Sequence, residues 1–246
     1  MLIGVSLKMY FTHARTVEWV TAVAEIMRSH PAAPSVTAFV MPQHPSIPAA
    51  LAVAGPLEVG AQDLAAADAG AFTGEVSGAV LAELGCRFVE VGHAERRRLF
   101  GETDEAVADK VHAALRNALT PVLCVGESER IDQAAAAEVC IEQIRSGLST
   151  AEAAGAIGPI VVAYEPLWAI GAAEPASSAH IRGVCSRLRE HLRSGPDGAR
   201  VIYGGSAGPG LLTTIADSVD GVFLGRFAHD PTAIRDILDE VALLGA

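Results

Sequence analysis

Aromatic side chains are scarce in this chain, at 5% of 246 residues, and charged ones make up only 19%. Half of the residues are hydrophobic, so a large core is expected, built from Ala, Val, Leu and Ile. Such a core suits parallel strands covered on both faces, which read as short aliphatic runs and not as alternating patterns. No apolar run approaches the roughly 18 residues that a membrane span requires. Positive charge is also short: the net charge of −11 argues against a nucleic-acid or anionic-membrane surface, both of which want clustered Lys and Arg. A small anionic ligand stays possible, because a site needs only local positive potential. Cys86, Cys124, Cys140 and Cys185 lack CxxC spacing and read as buried free thiols in a reducing compartment. The N-terminal Met1-Leu2-Ile3-Gly4-Val5 has no basic segment and runs straight into a strand pattern, so no signal peptide and a cytoplasmic location are expected.

Two further absences bear on the fold. No linker or low-complexity tract divides the chain, and no glycine-rich phosphate turn follows the first strand, as an open doubly wound sheet would usually have. What is present is a strict alternation. Strands are expected over 2–6, 35–41, 58–61, 88–91, 121–125, 160–164, 200–203 and 221–224. Helices are expected over roughly 15–29, 44–53, 78–85, 103–118, 131–147, 177–194, 209–217 and 231–244. Thr103 followed by Asp104 and Glu105, Ser177-Ser178, and Asp230-Pro231 read as helix starts. Eight βα units point to an α/β fold, a single (β/α)₈ barrel domain over 1–246.

Chemistry in such a barrel gathers at the C-terminal ends of the strands. Lys8 follows the first strand, His93 and Glu95 the fourth, and Glu165 the sixth. Gly204-Gly205-Ser206 and Gly225 follow the seventh and eighth, where backbone N–H groups can bind phosphate. Singly, each has a structural reading: a solvated lysine, a structural histidine, a loop carboxylate. Converging on one mouth, they form a proton-transfer set plus a cation.

The segments Lys8-Met9, Gly70-Ala71-Phe72-Thr73-Gly74-Glu75, Gly92-His93-Ala94-Glu95-Arg96-Arg97, Cys124-Val125-Gly126-Glu127, Tyr164-Glu165-Pro166-Leu167-Trp168-Ala169-Ile170-Gly171 and Tyr203-Gly204-Gly205-Ser206 resemble the triosephosphate isomerase family in order and spacing. The resemblance implies an enediol mechanism. Glu165 would be the base, His93 the neutral electrophile, and Lys8 the cation beside the carbonyl oxygen and phosphate. Glu95 would support Lys8 or join the proton traffic, with a salt bridge that holds Lys8 in place as the structural alternative. Segment 166–176 would be a lid, and Gly171, Ser206 and Gly225 would grip phosphate. No metal or organic cofactor is implied, since the carbonyl itself is the electron sink. Segment 62–75, with Thr73 near its tip, implies a homodimer, against the alternative of a plain surface loop.

Four departures from the family cluster at the site. Ser6-Leu7-Lys8 replaces the usual Asn-Trp-Lys, Ala94 replaces a serine, Gly171-Ala172-Ala173-Glu174 replaces Gly-Thr-Gly-Lys, and Arg226 follows Gly225 where a second glycine is usual. Arg226 either points away or turns inward as an added cation. The shorter Ser6 leaves room for one more hydroxymethyl group, which points to interconversion of L-erythrulose 1-phosphate and D-erythrulose 4-phosphate, as some relatives of the family perform. The triose reaction and a non-catalytic barrel that binds a phosphorylated ligand are the alternatives.

Overall fold

In the computed structural model, which describes residues 1–193 and 195–245, eight parallel strands close on themselves in sequence order. They are β1 (Leu2–Ser6), β2 (Thr37–Met41), β3 (Glu58–Ala61), β4 (Phe88–Val91), β5 (Thr120–Val125), β6 (Val161–Tyr164), β7 (Arg200–Tyr203) and β8 (Gly221–Leu224). The ring is sealed where Leu2 pairs with Gly221 and Val5 with Leu224.

Because side chains alternate along a strand, one set fills the barrel and the other meets the helices. Phe39, Met41, Phe88, Val122, Cys124, Val161, Ala163, Ile202 and Phe223 form the interior cluster. Phe39 and Phe88 stack with ring centroids 4.3 Å apart. The few phenylalanines fit because Gly4 makes way: a Cβ there would lie 2.3 Å from the Phe39 ring. The outward set, Ile3, Val5, Val40, Val89, Val91 and their neighbours, packs under the helices in the larger cluster.

Those helices are α1 (His13–Ser29), α2 (Ile47–Val53), α3 (Gly78–Leu84), α4 (Ala94–Phe100), α5 (Asp104–Arg116), α6 (Gln133–Ala153), α7 (Ser178–Leu192), α8 (Leu212–Ile215) and α9 (Thr232–Leu244). None among the described residues is long and apolar enough to cross a membrane. The capping expectations hold at Thr103, whose hydroxyl accepts from the Ala106 N–H at 3.2 Å, and at Ser177, which accepts from His180. All four cysteines are buried and free.

Several boundaries differ from expectation. β2 starts at Thr37 because Ala33–Ser35, with Pro34 at its centre, forms a 3-10 turn capped by Val36. The element expected over 44–53 is a 3-10 turn, His44–Ser46, running into α2. α8 is shorter than 209–217 because Gly208-Pro209-Gly210 does not hold a helical turn. α4 is an unexpected helix, wedged between His93 and Thr103. The end of the helix expected over 177–194 falls on Ser194, which with Ala246 lies outside the described residues.

Candidate active site

The mouth at the C-terminal ends of the strands holds a cavity of about 220 Å³ lined by Ser6, Lys8, His93, Glu95, Glu165, Gly171, Gly204, Ser206, Gly225 and Arg226, among others. Every residue expected from sequence to serve the site is on its wall.

Lys8 leaves β1 with φ +48°, a left-handed conformation that costs a non-glycine residue on the order of 1 kcal/mol or more. Gln62, beyond β3, supports it by donating its amide to Lys8 O at 3.0 Å and to Met41 O at 2.8 Å. The ammonium donates to Glu95 Oε1 at 2.8 Å. Burial opposes the ammonium, but that hydrogen bond and the charges of Glu165, Glu95 and Glu90 outweigh it and raise the Lys8 pKa. Lys8 therefore enters any reaction as a fixed cation. Both sequence readings of Glu95 bear on the same atom pair, and the structure has the salt bridge.

His93 caps α4. Its Nδ1 accepts from the Glu95 N–H at 3.1 Å, which assigns the remaining proton of a neutral ring to Nε2. Nε2 lies 3.5 Å from Glu165 Oε2. The placement of α4 thus sets the tautomer of His93. α4 is held in turn by a cluster that its sequence does not announce. Arg96 of α4 contacts Asp63 Oδ2 at 2.7 Å and Glu102 Oε1 at 3.2 Å, and Lys110 of α5 bonds both of those carboxylates. Burial alone would raise the pKa of Glu102, but Lys110 and Arg96 reverse that and lower it.

Glu165 follows β6. It is buried, and its Oε2 has no hydrogen-bond partner among the described residues. Gly204, after β7, permits the close approach: a Cβ there would lie 2.6 Å from Glu165 Oε1. A second cavity of about 50 Å³, lined by Ala94, Cys124, Gly126 and Leu167 among others, adjoins the same carboxylate. It lies where a larger residue 94 would bring a hydroxyl. Cys124 is no rival nucleophile, because burial and the charges of Glu165 and Glu90 hold its thiol protonated.

Segment 166–176, expected from the resemblance to be a lid, is tied to the mouth by four sets of hydrogen bonds. Trp168 Nε1 donates to Glu127 Oε1 at 2.8 Å, and the Ala176 N–H to the Tyr203 hydroxyl at 3.0 Å. Ser206 Oγ lies 2.7 Å from Ala169 O and 3.1 Å from Ala172 O. Arg226 Nη2 donates to Gly171 O at 3.2 Å, which resolves its two readings: the side chain turns toward the lid at the rim of the cavity.

One residue beneath the cavity, in contact with its wall at Ser6 though not part of the lining, was not singled out from sequence. Glu90 follows Phe88 on the inward face of β4 and is 3% exposed. Its Oε2 accepts the Ser6 hydroxyl at 2.8 Å. Burial, helped by the charge of Glu165, raises its pKa against the opposing influence of His93, Ser6 and Lys8. Ser6 therefore turns its hydroxyl down into the floor and not up toward the mouth.

A buried carboxylate with a free oxygen, an imidazole with its proton facing the same space, and an ammonium beside them can move a proton between adjacent carbons of a carbonyl compound. Comparison with known proteins agrees. The sequence pattern of the family described as triosephosphate isomerase matches residues 1–241.

The chain belongs to the triosephosphate isomerase family.

It is thus a sugar-phosphate isomerase. It is similar to L-erythrulose-1-phosphate isomerase of Pectobacterium atrosepticum, with 52% identity over 252 residues covering 100% of this chain and 97% of that protein. It is also similar to the triosephosphate isomerases of Mycobacterium avium, 44% identical over 71% of this chain and 69% of that protein, and of Rhodopirellula baltica, 45% identical over 69% and 70%.

Proposed function

We propose that this chain, as one barrel domain, interconverts L-erythrulose 1-phosphate and D-erythrulose 4-phosphate. The single observation that carries the substrate is Ser6, where the family usually has asparagine: its hydroxyl bonds Glu90 below it and leaves space beside the reacting carbon. The full-length similarity to an L-erythrulose-1-phosphate isomerase supports the same reading.

Glu165 takes the proton from C3, whose C–H bond breaks as the C2–C3 enediol forms. His93 gives its Nε2 proton to the C2 oxygen and receives the proton of the C3 hydroxyl. Glu165 then returns its proton to C2, so the carbonyl has moved from C2 to C3. Lys8 offsets the negative charge that develops on the oxygens. Gly171, Ser206 and Gly225 hold the phosphate, with Arg226 adding positive charge at the rim. No cofactor takes part, because the carbonyl accepts the electron pair. The exposed segment around Thr73, together with exposed Phe72, Met9 and Phe100, supports a homodimer as the working unit. A monomer in light scattering would remove that part of the proposal.

Assay of purified protein with L-erythrulose 1-phosphate and with dihydroxyacetone phosphate tests the substrate. A higher kcat/KM is expected for the tetrulose; a higher value for the triose overturns the assignment. Glu165→Asp, which withdraws the carboxylate by one methylene, should lower kcat on the order of 10²–10⁴-fold, and an unchanged kcat would mean that Glu165 is not the base.

A further inference from the structure

Glu90 takes no step in the reaction above, yet it occupies a costly position. It lies inside a barrel otherwise filled by Phe39, Phe88, Phe223 and aliphatic side chains, where a carboxyl group loses its hydration. No lysine or arginine among the described residues hydrogen-bonds it. Its Oε2 has the Ser6 hydroxyl, while its Oε1 accepts no hydrogen bond from those residues and stands 3.9 Å from His93 Nε2. One oxygen is thus satisfied, and the other faces the group that handles the substrate's oxygens.

Depth decides what Oε1 can meet. The phosphate-binding Gly171, Ser206 and Gly225 lie in loops beyond β6, β7 and β8, at the mouth. Glu165 and His93 lie just past their strands. Ser6 and Glu90 lie within β1 and β4, one level deeper. A substrate held by its phosphate at the mouth, with its reacting carbons between Glu165 and His93, directs its far end to Ser6 on the cavity wall, with Glu90 directly behind Ser6 and His93. We propose that Glu90, held by Ser6, is the specificity-determining residue of this isomerase, its Oε1 hydrogen-bonding the C4 hydroxyl of the tetrulose phosphate. The inference rests on the tetrulose reading and deepens it. A triose phosphate carries only hydrogen at that position and leaves Oε1 unpaired. Burial and the charge of Glu165 favour the protonated acid, which can donate to the C4 oxygen without repelling the charge of the enediolate.

The test compares L-erythrulose 1-phosphate with its 4-deoxy analogue, which keeps the carbon and lacks the hydroxyl. The full-length wild type should prefer the hydroxylated sugar on the order of 10²-fold in kcat/KM, the upper end of what leaving one buried polar group unpaired costs. Glu90→Val should reduce that preference to within about threefold, whereas Glu90→Gln, equal in size and able to donate and accept, should keep most of it. Equal turnover of the two sugars by wild type overturns the inference while leaving the tetrulose reading intact. So does a Glu90→Val that slows both in proportion, the signature of a purely structural role. A wild type that converts dihydroxyacetone phosphate and neither tetrulose overturns the substrate reading, and this inference with it.

Discussion

Gly204→Ala tests how closely Glu165, the proposed base, is held. The backbone at Gly204 is outside the left-handed region, so alanine strains no dihedral; what it meets is Glu165, with Oε1 at 2.6 Å, Cγ at 2.7 Å and Cδ at 3.0 Å from the added Cβ. Ordinary contact begins at 3.4 Å, so the carboxylate must retreat by about 0.8 Å. The backbone cannot yield in its place. Glu165 N–H is bonded to Val125 O at 2.8 Å, and Gly126 packs against Glu165 O so tightly that a Cβ there would lie 2.1 Å away. Misplacing a reacting group by about 1 Å costs around 10²-fold in rate, so kcat should fall roughly 30- to 100-fold with KM little changed. Overpacking of this kind costs about 1–3 kcal/mol, a Tm loss on the order of 5 °C for a chain of this size. Steady-state kinetics with L-erythrulose 1-phosphate, paired with thermal unfolding, reads both. A folded variant with wild-type kcat would refute the claim that Gly204 sets the position of Glu165.

Other perturbations have equally definite outcomes. Lys110→Met leaves Asp63 and Glu102 to share Arg96, with one buried negative charge uncompensated, and should cost about 3–5 kcal/mol in denaturant unfolding; a loss under 1 kcal/mol would mean that Arg96 alone suffices. Arg226→Ala removes an exposed contact to the lid, so stability should change by less than about 0.5 kcal/mol while inorganic phosphate, as a competitive inhibitor, binds several-fold more weakly. The Lys8–Glu95 pair has a pH window. Lys8 is raised above 10.5, so its contribution is complete below that value and lost as pH climbs through the folded pKa. Glu95 is lowered below 4.5, burial opposing and Lys8 prevailing, so its contribution is complete above that value and lost as pH falls through the folded pKa. The Tm difference between wild type and Lys8→Met should be flat between these limits and shift in favour of the variant beyond each; a sloping difference at neutral pH would contradict the assigned shifts.

The strands were legible because aliphatic runs in a parallel sheet are short and bounded, and the alternation with helices left one closed arrangement. α4 escaped notice because Ala94–Phe100 carries three arginines in a row and no buried face; its helicity comes from the His93 cap and the Asp63–Glu102–Lys110 cluster, which are tertiary. Lys8, His93 and Glu165 stood out as polar residues just after strands. Glu90 did not, because a glutamate within Phe88-Val89-Glu90-Val91 reads as an interruption; its meaning depends on Ser6, 84 residues away in the chain. Gln62 and Glu127 lay in segments that carry the family resemblance, but their tasks were not legible, since a single amide or carboxylate reveals nothing of the Lys8 backbone or the Trp168 indole that it will hold.

The seam between β1 and β8 has a consequence for how the enzyme comes into being. Ser6 and Lys8 stand on one side of it, Gly225 and Arg226 on the other, and Trp19 of α1 fastens across it by donating to Ala228 O at 2.7 Å. The first and last parts of the chain to be synthesised must therefore meet before the proposed phosphate pocket is complete. A chain halted before its eighth strand has Glu165, His93 and part of the proposed phosphate grip, Gly171 and Ser206, but lacks Gly225 and Arg226, so full catalysis reports ring closure. By mass action, phosphate should favour the closed ring over any opened form, making the substrate a late participant in its own enzyme's assembly.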